Sequence, residues 1–102
     1  MRPLDSMYRI VDGVRYSVAK ATLLADDAWW DGHNYERQGR NRFLYRTPKG
    51  RYFVVTLTCW QEEHDNLRPV MMEDALQLYE DELLEHYVDH EEAFPDVKIE
   101  DA

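Results

Sequence analysis

Two runs of aromatic and β-branched residues, Phe43-Leu44-Tyr45-Arg46 and Arg51-Tyr52-Phe53-Val54-Val55-Thr56-Leu57-Thr58-Cys59-Trp60, flank the tetrapeptide Thr47-Pro48-Lys49-Gly50. Proline presets φ at the second turn position and glycine accepts the left-handed position that closes a bulge, so residues 43–60 predict a β-hairpin. An antiparallel sheet is the frame into which the other residues must fit. Alternation puts Phe53, Val55, Leu57 and Cys59 on one face and Tyr52, Val54, Thr56, Thr58 and Trp60 on the other. The first set is the more apolar and is the expected core face.

Ahead of this hairpin, Met7–Tyr16 reads as a short strand, an Asp12-Gly13 turn and a second extended piece. Ser17 suits an N-cap, and Val18, Ala21, Leu24, Ala25, Ala28 and Trp29 recur at three- and four-residue steps, which predicts a helix over 18–29. Asp31-Gly32-His33-Asn34 breaks it. Beyond the hairpin, 61–66 is a charged loop and Leu67–Val70 an edge strand limited by Pro69. The stripe Met72, Ala75, Leu76, Tyr79, Leu83, Tyr87 predicts an amphipathic helix over 71–86. The expected fold is a single α+β domain spanning 1–102. It has a small antiparallel sheet of three or four strands, one N-terminal helix, and a C-terminal amphipathic helix packed on the sheet. Its expected core is Leu24, Phe53, Val55, Leu57, Leu76, Tyr79 and Leu83, and after about residue 95 an acidic tail frays.

With 102 residues, 44% of them hydrophobic, the chain can bury one modest core. It has no apolar run of about 18 residues to span a membrane. Met1–Asp5 carries no apolar signal stretch and the single Cys59 cannot form an internal disulfide, so the expected compartment is the cytoplasm. Charge is the most informative quantity for partners. The net charge is −9, yet residues 1–60 hold ten basic and six acidic side chains, whereas 61–102 hold two basic and fifteen acidic. Arg37, Arg40, Arg42, Arg46, Lys49 and Arg51 share a window without one Asp or Glu. Blocks of one sign govern steering and partner choice rather than fold.

The order Ile10-Val11-Asp12-Gly13-Val14-Arg15-Tyr16, then Leu44-Tyr45-Arg46-Thr47-Pro48-Lys49-Gly50-Arg51-Tyr52-Phe53, then Pro69 before Met72-Glu73-Asp74-Ala75, then Glu91-Glu92-Ala93-Phe94 carries a resemblance. It resembles a family of small uncharacterised bacterial proteins of plasmids, phages and integrated mobile elements. Their members run from a short NG-K-K-Y-D-T start through an LYRTKKGxYF hairpin to a PLSEEEA helix. The likeness spans about residues 10–95, with the hairpin as its most specific part. It implies the strand, helix and hairpin order and a mobile-element setting, and it implies no catalytic residues. Met71 stands where the family has a capping serine, and Ser17-Val18 replaces Asp-Thr.

Chemistry-bearing constellations are sparse. His86 and His90 are four apart, the minimal helical spacing for a zinc pair with Glu82 or Asp89 as a further ligand, but no HExxH accompanies them. Cys59 lies on the apolar strand face, the usual place of a core cysteine, with His64 the nearest histidine. Glu62-Glu63-Asp65 and Asp81-Glu82 read as a solvated acidic face, and Gly13, Gly32, Gly39 and Gly50 are too isolated to cradle phosphate. Trp29, Trp30 and Trp60 suit core or rim packing.

No catalytic residue, metal or cofactor is expected. The expected function is a non-enzymatic, anti-CRISPR-like acidic inhibitor from a mobile element. It would present Glu73, Glu80, Asp81, Glu85, Asp89, Glu91 and Glu92 to a basic, nucleic-acid-handling protein. The alternative is direct nucleic-acid binding through Arg40, Arg42, Arg46, Lys49 and Arg51, with Tyr45 or Tyr52 stacking on bases. A third arrangement sets the basic hairpin of one copy against the acidic helix of another, a homodimer.

Overall fold

A computed structural model describes residues 2–27, 40–58 and 64–102. Strands β1 (Tyr8–Val11) and β2 (Val14–Ser17) form a two-stranded hairpin. A 3-10 turn over Val18–Lys20 leads to β3 (Thr22–Asp26), which is followed by β4 (Arg40–Arg46), β5 (Tyr52–Thr58) and β6 (Asn66–Val70). Helix α1 (Met72–Gln77) continues as a π-helical segment, Leu78–Glu82, before β7 (Glu85–His86) and the short α2 (His90–Ala93). The main sheet is antiparallel with strand order β6-β5-β4-β3-β7. Among the described residues, no helix is long and apolar enough to cross a membrane.

Both tight turns follow from their residue types. Asp12 and Gly13 have φ of 52° and 77°, the pair of positive angles that a type I′ turn requires. At the β4–β5 turn the Gly50 amide donates to the Thr47 carbonyl at 2.9 Å, with Gly50 at φ 84°. Thr47 N–H donates to the Arg51 carbonyl at 2.7 Å, and Thr47 Oγ1 accepts from Arg51 N–H at 3.0 Å. This loop sets the register Arg46↔Tyr52 through Arg40↔Thr58.

The expected architecture, an N-terminal helix on a sheet of three or four strands, is not what forms: the protein is mostly sheet. Residues 22–26, expected to be helical, are strand β3. A bulge between Leu23 and Ala25 lets both Leu24 and Ala25 oppose the helical side of the sheet, where both are buried. Two adjacent apolar residues on one face erase the period-two signal of a strand and imitate a helical stripe. Ser17 belongs to β2 and makes no side-chain cap.

The C-terminal helix is also shorter than its stripe. It ends in the π-helical segment, where Leu83 N–H donates to the Leu78 carbonyl at 2.7 Å. Leu83 is already extended, and Glu85–His86 pair with the open edge of β3. Met71 supplies no side-chain cap at the helix start.

The sheet is covered on both faces. One core joins Leu24, Leu44, Tyr52, Val54, Ala75, Leu78, Tyr79, Leu83 and Phe94 beneath the helical segments. The other joins Phe43, Tyr45, Phe53, Val55, Leu57 and Leu67 beneath the β1–β2 hairpin, to which Tyr16 contributes. Tyr52 and Val54, expected on the less buried face, are therefore as deep as Phe53 and Val55. Leu76 is only half-buried. Cys59, Trp29, Trp30, Trp60, Glu62 and Glu63 lie outside the described residues.

Candidate functional site

Glu73, Glu80, Asp81, Glu85, Asp89, Glu91 and Glu92 are all exposed, on the run of chain that forms the helical layer and the edge strand β7. Part of this layout serves the fold. Glu73 and Asp74 in the first turn of α1, and Glu91 and Glu92 in that of α2, sit where unpaired amides favour negative charge. Glu80 Oε2 lies 2.7 Å from His90 Nε2, and Glu82, half-buried, takes Arg42 Nη1 at 3.0 Å. Among the described residues the other six named acids have no cationic partner. Large apolar side chains are interspersed with them: Met71, Met72, Leu84 and Tyr87 are all exposed, Met71 by 71% and Leu84 by 66%.

The five cations of the alternative surface divide between the two sides of the sheet. Alternation along β4 sets Arg40, Arg42 and Arg46 on the side of Leu44, under the helical layer. There the Asp27 carboxylate accepts from Arg42 N–H at 2.7 Å and from Nε at 3.3 Å, and Glu82 takes the far end of the guanidinium. Arg46 is half-buried, with its Nε shielded and without a hydrogen bond. Lys49 and Arg51 instead meet Arg15 and Lys20 at a cavity of about 390 Å³ between the tips of the two hairpins. Lys49 and Arg51 belong to the acid-free basic window of the hairpin. Arg15 and Lys20 do not, and nothing local links them to a turn some thirty residues away.

The two histidines do not form a metal pair on one helix face, because the helix ends before His86. His86 stacks on Tyr79 with ring centroids 3.9 Å apart, its Nε2 2.7 Å from the Tyr79 carbonyl, while His90 meets the same ring edge-on at 5.7 Å. Among the described residues no group of three or more His, Cys, Asp or Glu side chains is placed to hold a metal ion.

A buried polar node lies at the β3 end. Asp26 and Asp27 are both almost fully buried, and Asp26 Oδ2 accepts the Tyr87 hydroxyl at 2.8 Å. The Arg2 guanidinium sits 5.0 Å from the centre of the Tyr87 ring. Burial, reinforced by the hydrogen bond and negative charge of Asp26, pushes the Tyr87 phenol up to about 12. Tyr45 is also pushed up to about 12, chiefly by burial, with Arg2 acting against the rise and Asp26 adding to it.

These phenols make alkaline pH a direct probe of the fold. A folded pKa above the unfolded value of about 10 contributes stability that is complete below pH 10 and is lost as pH rises through about 12. In a spectrophotometric titration, Tyr45 and Tyr87 are expected to remain protonated at about pH 11. Tyr45→Phe and Tyr87→Phe should each remove one late-titrating group. Ordinary ionisation of both phenols near pH 10 would show the node to be open to water.

Comparison with protein-family models, with curated proteins and with solved structures finds no match to this chain.

Proposed function

We propose that this chain is a non-enzymatic interaction protein, an acidic inhibitor that docks its helical layer on a basic, nucleic-acid-handling protein. The observation that carries the reading is the mixture on that layer: seven exposed carboxylates share one run of chain with the exposed side chains of Met71, Met72, Leu84 and Tyr87. A protein interface uses such groups as anchors and the charged rim for steering and register. The mobile-element setting that the resemblance implies suggests host nucleic-acid-targeting machinery as the class of partner by analogy. Direct nucleic-acid binding through the Arg-rich hairpin is the less supported reading, since Arg42 is committed to Asp27 and Glu82.

The test compares wild type with a variant carrying Glu73→Lys, Glu85→Lys, Glu91→Lys and Glu92→Lys. Both are immobilised and exposed to bacterial lysate, and retained proteins are then assayed for loss of oligonucleotide binding. Wild type is expected to retain a basic nucleic-acid-binding protein, release it at high salt and block its binding to DNA or RNA. The reversed variant should do none of these. Equal retention and inhibition by both would overturn the reading, as would saturable binding of oligonucleotide by the isolated protein.

A further inference from the structure

The cavity between the two hairpin tips is a second feature, on the opposite side of the sheet from the helical layer, and it does not depend on the reading above. Arg15, Lys20, Lys49 and Arg51 line it, and among the described residues no carboxylate does. Among the described residues none of the four has a carboxylate partner, although the chain as a whole carries −9. In a protein with 21 acidic side chains, four cations brought together without an acid among the described residues run against the overall charge balance. Like charges lining one cleft repel one another, and an anion seated among them offsets that repulsion.

The surroundings suit a phosphate chain. The hydroxyl-bearing Ser17 and Thr47 are both in the lining, and the Ser17 side chain caps no helix. Arg15 is steadied by its guanidinium lying 5.2 Å from the centre of the Tyr8 ring, which leaves the planar fork pre-oriented. The cleft lies between two tight turns whose glycines, Gly13 and Gly50, take the positive φ that those turns need. Val14 and Pro48 add apolar wall.

We propose that this cleft binds a small oligophosphate of the nucleoside di- or triphosphate class. Four cations match the charge of two or three linked phosphates, and about 390 Å³ is in the range of small-molecule pockets. Size separates this ligand from a long nucleic acid. A compact anion seated in the cleft feels chiefly the local cations within a Debye length of about 8 Å, whereas an extended strand also meets the field of the acidic remainder.

The experiment titrates pyrophosphate, ADP and a 5′-phosphorylated single-stranded oligonucleotide into the protein at physiological salt, by calorimetry and by amide NMR shifts. Pyrophosphate and ADP are expected to bind, to shift the amides of Gly13 and Gly50, and to weaken with added salt as the charges are screened. The double variant Lys20→Gln with Lys49→Gln should lose about tenfold or more in affinity, while Arg68→Gln, an exposed cation on β6, should leave it unchanged. Absence of binding by wild type at millimolar ligand overturns the proposal. Equal affinity in the double variant, or shifts confined to residues away from the two turns, does so as well. Tighter binding of the oligonucleotide than of ADP, with the same sensitivity to Lys20 and Lys49, would replace the ligand class with a nucleic-acid end.

Discussion

Replacing Phe94 with alanine is expected to cost about 3–5 kcal/mol, a lowering of the melting temperature on the order of 15–25 °C. Phe94 is fully buried and stacks on Tyr52 with ring centroids 5.1 Å apart, while Tyr79 meets it edge-on at 5.5 Å. Beside it, the Tyr52 hydroxyl donates to the Ala93 carbonyl at 2.8 Å, a buried hydrogen bond between the sheet and α2. The lost ring therefore removes apolar burial, the ring contacts with Tyr52, Tyr79 and His90, and the constraint that holds this bond in place. A domain of this size has about 5–15 kcal/mol in total, so the variant sits near the edge of folding. Phe94→Leu keeps most of the volume and should cost about 1–2 kcal/mol. A stop after Val97 removes only exposed residues and should change stability by less than about 0.5 kcal/mol. Thermal melts of the three proteins check the series. A Phe94→Ala melt within a few degrees of wild type would mean that the segment around α2 does not pack on the sheet in solution.

Asp27→Ala should be the next most damaging change, by about 2–4 kcal/mol. The carboxylate is 1% exposed and receives both the backbone N–H of Arg42 and its guanidinium Nε, while the Asp27 carbonyl accepts from Asn41 Nδ2 at 3.3 Å. Alanine leaves a shielded N–H without its acceptor and strips Arg42 of one of its two acids. The one-third exposure of the Arg42 side chain and the remaining contact with Glu82 keep the cost below that of a fully buried pair. Asp27→Asn retains an oxygen for the Arg42 N–H and should cost about 1 kcal/mol. Combining Asp27→Ala with Arg42→Ala should be less harmful than the sum of the single changes, with a coupling of about 1–2 kcal/mol measured by urea denaturation. Strict additivity would show that the two side chains do not depend on each other.

Some of this architecture is legible in local chemistry. Asp12-Gly13 and Thr47-Pro48-Lys49-Gly50 specify their turns because few residues tolerate the backbone angles that those turns need. The strands flanking Thr47–Gly50 are equally plain from their aromatic and β-branched content. Strand β3 is not, because its bulge puts Leu24 and Ala25 on one side and gives the segment a helical rhythm. The early end of α1 is not either. Its apolar stripe continues through Leu83 and Tyr87, and the chain turns extended only because β3 has an open edge for Glu85 and His86. Of the candidate surfaces, the exposed acids could be listed from the sequence. The separation of Arg42 from Lys49 and Arg51, and the arrival of Arg15 and Lys20 beside the latter two, could not.

By itself, then, the order of residues determined the two hairpin turns, the β4–β5 pairing and the division of charge between the halves of the chain. Each of these depends on residues close in sequence, where backbone angles and side-chain type suffice. Only the tertiary structure decided that 22–26 would be a strand, that both faces of the sheet would be covered, and which cations would be paired with acids or gathered in a cleft. Those outcomes turn on which edges and apolar faces remain open beside the hairpins, and on charges brought together across some thirty to forty residues of chain.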